Sequence, residues 1–218
     1  MKPLLFVHIP KTAGTFIILS LGNQVGMKST HHYPKIHPKT KEIMTTELNV
    51  RSQIPKLFNY NSFTVVRHPY TRFLSAYHYL LHGGNQTGLD LDYQSILSTY
   101  PTMDDVINDL HNLKKRIVHF VDQYIFVYLF DRSKIMHKYE GFDEEIDEEY
   151  FEYDEDNILV DRVIKFENLH TDLPTVLPFY YPEEKEKSKT SDDVLTDSQK
   201  DKIANLYIKD FILFDYYP

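Results

Sequence analysis

The sequence predicts an α/β fold in a single domain, residues 1–218, and three observations support this prediction. The 218 residues are fewer than the ~250–300 that one hydrophobic core can serve. Apolar residues make up 42% of the chain and aromatic residues 14%, which is ample material for a buried core. Strand-like and helix-like segments alternate along the chain, and this order indicates a mainly parallel central sheet flanked by helices.

The first strand is predicted over residues 3–9, since a short continuous apolar run suits a buried strand of a parallel sheet. The turn Pro10-Lys11-Thr12-Ala13-Gly14-Thr15 follows at once. Residues 16–21 are apolar again and end at Gly22, where a helix would stop. The predicted order is therefore strand, tight turn and helix.

The same unit is predicted a second time. Residues 62–67 form the strand, and Pro69 suits the first position of the helix that follows. Apolar residues at helical spacing extend this helix until Gly83 and Gly84 end it. Further along the chain we predict helices over 38–48, from Thr102 through Leu110 and over 196–211, a strand over 160–166, and a polar, loop-rich connection over 84–101.

The acidic residues are concentrated in one segment. The chain has 24 Lys and Arg against 32 Asp and Glu, a formal charge of −8. Residues 140–156 hold 11 of these acids and no base, so that 24 basic and 21 acidic residues remain elsewhere. We predict a mobile, solvated insertion at 140–156, because mutual repulsion disfavours a packed element. A calcium loop is the weaker alternative, since no EF-hand spacing is present.

Composition excludes several kinds of chemistry and location. The chain has no cysteine, so disulfides, cysteine-ligated metals and a cysteine nucleophile are excluded. The first apolar run, residues 3–9, is too short for a signal-peptide core or a membrane span. We therefore expect a soluble, cytoplasmic protein without a membrane segment, although a lumenal domain trimmed of its anchor would have the same composition.

The turn at residues 10–15 has the chemistry of a phosphate cradle. A helix N-terminus after a strand favours an anion, because its first N–H groups lack partners within the helix. Lys11 adds a positive charge, Gly14 allows close approach of the backbone, and Thr12 and Thr15 offer hydroxyl donors. This predicts a P-loop-like sheet without the Walker sequence, since the lysine precedes the glycine. An ordinary turn with a surface lysine is the alternative.

The second unit carries a further set of candidate anion ligands. Arg67 lies at the carboxyl end of its predicted strand, where ligands bind in open α/β sheets. Its guanidinium can bind a phosphate bidentately, and Ser75, two turns into the helix, can donate to the same group. Arg72 lies one turn before Ser75. The alternative is that both arginines are surface residues in salt bridges.

Together, five segments resemble the superfamily of sulfotransferases that use 3′-phosphoadenosine 5′-phosphosulfate (PAPS), and within it the carbohydrate-type, family 2-like group. The first two are the cradle, with its preceding strand end, and the Arg67 segment. The segments in order are His8–Thr15, Arg67–Tyr77, His119–Gln123, Lys165–Leu169 and Tyr207–Tyr216. The resemblance covers almost the whole chain and implies transfer of a sulfuryl group from PAPS to a hydroxyl group, preferably on a glycan.

The resemblance also implies roles for individual residues. The 5′-phosphosulfate would be held by the cradle residues Lys11, Thr12, Ala13, Gly14 and Thr15. Arg67 and Ser75 would hold the 3′-phosphate. Lys11 would also be catalytic, because it neutralises charge on the bridging oxygen as the sulfuryl group leaves. No metal ion is expected, and nucleic acid is not an expected partner.

The catalytic base is predicted within a histidine-rich segment. His37 is the first choice because family members often have a histidine shortly before a helix, and His32 is the second. His31 completes the set, and a zinc site formed by the three is less favoured because no fourth ligand is evident nearby.

Three other polar residues have structural or functional interpretations. His8 is expected to be packed and hydrogen-bonded within its strand. His119 and Gln123 are candidates to face the acceptor, with a core position as the alternative for His119.

Two other functions remain open from the sequence. One is a P-loop-type nucleotide kinase or phosphohydrolase, against which the missing Walker sequence counts. The other is an interaction protein that binds a nucleotide without catalysing a reaction. The sequence does not predict an oligomeric state.

Overall fold

The fold is described by a computed structural model for residues 4–21, 28–31, 61–130, 153–158, 160–177 and 193–218. The strands are β1 Leu4–His8, β2 Lys28–His31, β3 Asn61–Val66, β4 Tyr128–Phe130, β5 Tyr153–Ile158 and β6 Arg162–Lys165. The helices are α1 Gly14–Leu21, α2 Pro69–Leu81, α3 Gly88–Leu97, α4 Met103–Asn108, α5 Leu110–Lys114, α6 Leu169–Val176, α7 Asp197–Leu206 and α8 Ile208–Leu213. Single 3-10 turns span Val118–Phe120, Tyr124–Phe126 and Phe166–Asn168.

The central sheet has four parallel strands in the order β2-β1-β3-β6. Phe6 of β1 is paired with Phe63 of β3, and Val65 of β3 with Ile164 of β6. Strands β4 and β5 form a separate antiparallel pair. The mixed helix and sheet architecture with a parallel sheet agrees with the predicted α/β class.

Both faces of the sheet are covered by helices, and the two central strands, β1 and β3, accordingly bury residues on both faces. On one face, Phe6 and Phe63 pack with Ile17 of α1 and with Leu169 and Leu173 of α6. Alternate strand residues point to the opposite face, since side chains alternate along a strand. There the strand residues Leu5, Val7 and Val66 share a core with the α2 residues Phe73, Ala76 and Leu80.

The two predicted strand-turn-helix units are confirmed as β1-α1 and β3-α2, but the prediction of a loop-rich connection over 84–101 is wrong. Helix α3 occupies Gly88–Leu97, and the Thr87 hydroxyl caps it by accepting the Asp90 N–H at 3.2 Å. The buried face of this helix is short and partly polar, formed by Asp90, Tyr93 and Leu97. Such a face gives only a weak helical periodicity in the sequence.

Two further predictions need correction. The closing helix is not continuous, because it is interrupted at Tyr207, whose hydroxyl donates to the Phe120 carbonyl at 2.6 Å. The prediction that 140–156 contains no packed element is wrong for residues 153–156, which belong to β5. Backbone pairing with β4 provides hydrogen bonds that a count of charges does not include. The predicted helix over 38–48 lies outside the described residues.

No helix in the described ranges is both long and apolar enough to cross a membrane. Among the same residues, no group of three or more His, Asp or Glu side chains is arranged to hold a metal ion.

Candidate functional site

The candidate site lies at the edge of the sheet where the parallel strands end. Two turns meet there because β1 and β3 are adjacent. The cradle turn, residues 10–15, leads from β1 into α1, and the Arg67 turn, residues 67–71, leads from β3 into α2. In parallel α/β sheets this edge is the usual place for a ligand.

The cradle turn has an uncommon backbone conformation. Lys11 and Ala13 have φ angles of 69° and 70°, in the left-handed region that non-glycine residues rarely adopt. Helix α1 begins directly afterwards, with the Ile17 N–H donating to the Ala13 carbonyl at 3.0 Å. The N–H groups of the first helical turn have no partner within the helix, so this end of α1 is suited to bind an anion. Strained conformations of this kind concentrate at functional sites.

Thr12 stabilises the turn from inside. Its side chain is fully buried, and its hydroxyl donates to the carbonyl of Ile9 at 2.8 Å. The hydroxyl that the sequence offers as a ligand donor is thus used to close the turn, so contact with an anion would come from the backbone N–H of Thr12. Thr15 is exposed in the first turn of α1.

Gly14 is required by a close contact with His8. A Cβ atom at position 14 would lie 1.7 Å from Nε2 of His8, so the imidazole occupies the space that any side chain would need. The imidazole in turn stacks on Phe6, with 5.7 Å between ring centroids. The prediction that His8 is packed is confirmed. This packing explains why position 14 is a glycine, which the sequence alone did not suggest.

Lys11 is directed onto an aromatic ring. Its Nζ lies 3.6 Å from the ring centroid of Tyr79 on α2, a cation–π contact. The Tyr79 hydroxyl donates to Oδ2 of Asp90 at 3.0 Å. Burial, and after it the nearby Arg67 charge, lowers the pKa of Lys11, while Asp90 opposes both effects, and together they bring the pKa to about 8. Lys11 is therefore a poorly solvated cation beside a second cation, a setting that favours an incoming anion.

His119 belongs to the same cluster. Its ring centroid lies 5.2 Å from that of Tyr79 and 5.9 Å from that of Tyr93. Burial, and after it the charge of Lys11, lowers the pKa of His119 to about 3, so its imidazole is neutral. Its Nδ1 is enclosed without a hydrogen-bond partner among the described residues. His119 is packed in an aromatic cluster and at the same time close to Lys11.

Arg67 is held in a very different way. Its side chain is only 8% exposed, its Cζ lies 4.4 Å from the ring centroid of Phe166, and its Nε donates to the Thr71 hydroxyl at 3.1 Å. Burial lowers the pKa of Arg67, while the charge of Glu167 opposes that effect. The guanidinium is thus partly desolvated and fixed against a ring, which suits charge-assisted binding of an anion.

Glu167, Tyr216 and Tyr217 lie against the Arg67 turn. Glu167 accepts the His68 N–H at 2.9 Å and the Tyr216 hydroxyl at 2.8 Å. The His68 ring Nε2 lies 3.0 Å from the carbonyl oxygen of Tyr217. The Lys165 and Tyr207 segments that carry the family resemblance therefore converge on the Arg67 turn.

Arg72 connects the two turns. Its side chain is 2% exposed, and its Nε donates to the carbonyl of Pro10 at 3.1 Å. The alternative that Arg67 and Arg72 are surface residues in salt bridges is therefore wrong. Ser75, one turn later on α2, is half-buried.

Gln123 is buried and does not face an acceptor. The side chain has no exposed surface and hydrogen-bonds to the backbone of Arg67, so the prediction for this residue is wrong. Tyr79 and Asp90 are site residues that the sequence analysis does not single out. Tyr79 could have been found, because it lies four residues after Ser75 and so on the same face of α2.

The predicted catalytic bases are mostly not described. His37 and His32 lie outside the described residues. The backbone of His31 ends β2 and is paired with His8 of β1, so it reaches the same edge of the sheet as the cradle turn.

An α/β sheet with two cationic turns at the carboxyl edge of adjacent strands defines an α/β protein with a candidate anion site at that edge. A comparison with protein families identifies the family: the model of the sulfotransferase family matches residues 2–217. The chain belongs to the sulfotransferase family, a family of transferases. Searches of curated proteins and of solved structures found no match.

Proposed function

We propose that this protein transfers the sulfuryl group of PAPS to a hydroxyl group, preferably on a carbohydrate. The observation that carries the proposal is the pair of cationic turns on adjacent strands, one with Lys11 and one with Arg67. Family membership supports sulfotransfer in general. PAPS has anionic groups at both the 5′ and the 3′ position, which suits two separate cationic sites.

The 5′-phosphosulfate is assigned to the cradle turn, with Lys11, Thr12, Ala13, Gly14 and Thr15 as its ligands. The N-terminus of α1 and the Lys11 charge support this assignment. The 3′-phosphate is assigned to Arg67 and Ser75, and the buried guanidinium of Arg67 supports it, because a desolvated cation gains most from an anionic partner.

The transfer breaks the bond between sulfur and the bridging phosphate oxygen while the acceptor oxygen bonds to sulfur. Lys11 in its protonated form offsets the charge that develops on the leaving oxygen. A base removes the proton of the acceptor hydroxyl, and His37 or His32 is assigned this role. No metal ion takes part in this proposal.

Calorimetry tests the donor assignment. Calorimetry compares adenosine 3′,5′-bisphosphate with ATP in the presence and absence of magnesium. We expect tighter, magnesium-independent binding of the bisphosphate. Preference for ATP with magnesium would instead support a kinase or phosphohydrolase.

Transfer from labelled PAPS to a panel of glycans, tyrosine peptides and small alcohols then identifies the acceptor class. We expect product on glycans. Binding of the bisphosphate without turnover on any member of the panel would support a nucleotide-binding interaction protein instead.

The base assignment needs its own test. His37→Ala is expected to lose turnover but to keep its affinity for the bisphosphate, because the base contacts the acceptor and not the nucleotide. Unchanged turnover in His37→Ala would move the assignment to His32 or His31, each of which is then replaced by alanine in turn.

A further inference from the structure

The backbone of Arg67 is paired with a side chain where the sheet ends. The last paired residues of β3 and β6 are Val66 and Lys165. At the next residue the Arg67 N–H donates to Oε1 of Gln123 at 2.8 Å, and the Gln123 Nε2 donates to the Arg67 carbonyl at 2.8 Å. The amide of Gln123 thus satisfies both backbone groups of Arg67, as a neighbouring strand would do.

The orientation of this amide is set by Asp210 of α8. Oδ2 of Asp210 accepts the Gln123 backbone N–H at 2.9 Å and its side-chain Nε2 at 3.3 Å. Oδ1 accepts the Tyr124 N–H at 2.9 Å. Both the carboxylate and the Arg67 carbonyl require a donor, so the NH2 group of Gln123 must face them and its oxygen must face the Arg67 N–H.

Burial of the Asp210 carboxylate carries a desolvation cost. Asp210 has no exposed surface, and burial, followed by the charge of Asp122, raises its pKa. The Arg72 charge and the N–H groups of Gln123 and Tyr124 oppose that rise. An apolar residue of similar size would avoid the desolvation cost. A buried polar network with all its members paired instead favours one geometry, and the geometry it fixes here is that of Arg67.

We propose that Gln123, oriented by Asp210, is a positioning residue that fixes the backbone of Arg67, so that its guanidinium meets the 3′-phosphate of the donor. This inference rests on the proposed function. Gln123 acts through Arg67 and does not touch the donor, so its removal should affect only ligands that carry a 3′-phosphate.

The test compares two nucleotides that differ only in that phosphate. Calorimetry measures the Kd of adenosine 3′,5′-bisphosphate and of adenosine 5′-monophosphate for the wild type and for Gln123→Met, which keeps the side-chain volume but cannot form either hydrogen bond. We expect at least about a tenfold loss for the bisphosphate and less than about a twofold change for the monophosphate. Asp210→Asn should show the same pattern with a smaller loss, since one acceptor oxygen remains.

Gln199 provides a matched control. It is also a buried glutamine, and its amide links the Thr196 N–H to the Asp104 carboxylate. Gln199→Met should lower stability without changing the affinity ratio of the two nucleotides. If Gln123→Met does not fold, Gln123→Asn replaces it, because the shorter amide cannot reach both backbone groups of Arg67.

The possible outcomes separate the two proposals. Equal losses for both nucleotides in the Gln123 variant, or no loss for either, would overturn the positioning role while leaving the proposed function intact. A wild-type protein that binds both nucleotides equally would reject the 3′-phosphate site itself, and this inference with it.

Discussion

The two turns at the carboxyl edge of the sheet hold their cationic side chains by different means. The cradle turn is held mainly by nearby residues: Thr12 bonds to Ile9, Gly14 leaves room for the His8 ring, and Arg72 adds one bond from a distance, to the Pro10 carbonyl. The Arg67 turn depends on distant segments, because Gln123 is 56 residues away in the chain and Glu167 is 99 residues from His68. One turn is therefore mainly a local structure, and the other is assembled mainly by the tertiary fold.

Because of this difference, the two turns should tolerate different substitutions. A local turn is sensitive to changes in its own few residues, and its backbone conformation is set by them. An assembled turn can lose its geometry through a substitution far away that never contacts the ligand. The following predictions test the cradle turn, and the last of them compares it with the Arg67 turn.

The largest effect is expected for Lys11→Ala. On the proposed function Lys11 stabilises the leaving oxygen, so removing this cation should lower kcat by about 100- to 1,000-fold. Alanine also has a Cβ, so the left-handed backbone at this position costs about the same and the fold should persist. Single-turnover transfer from PAPS measures the effect, with the exposed Lys115→Ala as the control. A variant that kept more than about a tenth of the wild-type rate would contradict the catalytic role.

Gly14→Ala should have the second largest effect. The new methyl group would displace the His8 ring, and overpacking of this kind costs about 1–3 kcal/mol of unfolding free energy. Bisphosphate affinity should fall as well, because the cradle turn shifts. Urea unfolding and calorimetry measure the two effects.

The double variant His8→Ala, Gly14→Ala isolates the contact. Removing the ring should restore part of the stability lost in Gly14→Ala, which would make the two changes non-additive. Additive losses would mean that the glycine is needed for another reason.

The pH dependence should follow Lys11. A lysine is a cation below its pKa, and the pKa of Lys11 is lowered to about 8, so kcat/KM should fall above about pH 8. One pH unit higher, it should be about tenfold below the plateau. Because Asp90 raises the pKa of Lys11, Asp90→Asn should move this decline to lower pH. A shift to higher pH would contradict the assignment.

The smallest effect is expected for a matched pair of threonines, one in each turn. Thr12→Val removes a fully buried hydroxyl that donates to Ile9 and should cost about 1–2 kcal/mol. Thr71 is exposed and accepts from Nε of Arg67, so Thr71→Val should cost less than about 0.5 kcal/mol. Equal losses in urea unfolding would show that both turns depend on their own residues to the same degree.

The same difference explains which features could be predicted from the sequence. Strand β1, the cradle turn and α1 depend on short-range signals, namely an apolar run, a glycine and a helix start, and all of them were predictable. The role of Gln123 was not, because its partners Arg67 and Asp210 lie 56 and 87 residues away. Periodicity and turn chemistry carry no information on contacts at that distance.

The contact between His68 and Tyr217 has a consequence for biosynthesis. Tyr217 follows His68 by 149 residues, which at ~5–20 residues per second takes a ribosome roughly 7–30 seconds to translate. During that interval the nascent chain already contains the cradle turn, while Asp210 and Tyr216 have still to be made. On the proposed function, PAPS would therefore stabilise the domain by binding it after Tyr217 has been made, and it would not find the complete Arg67 turn in any shorter nascent chain.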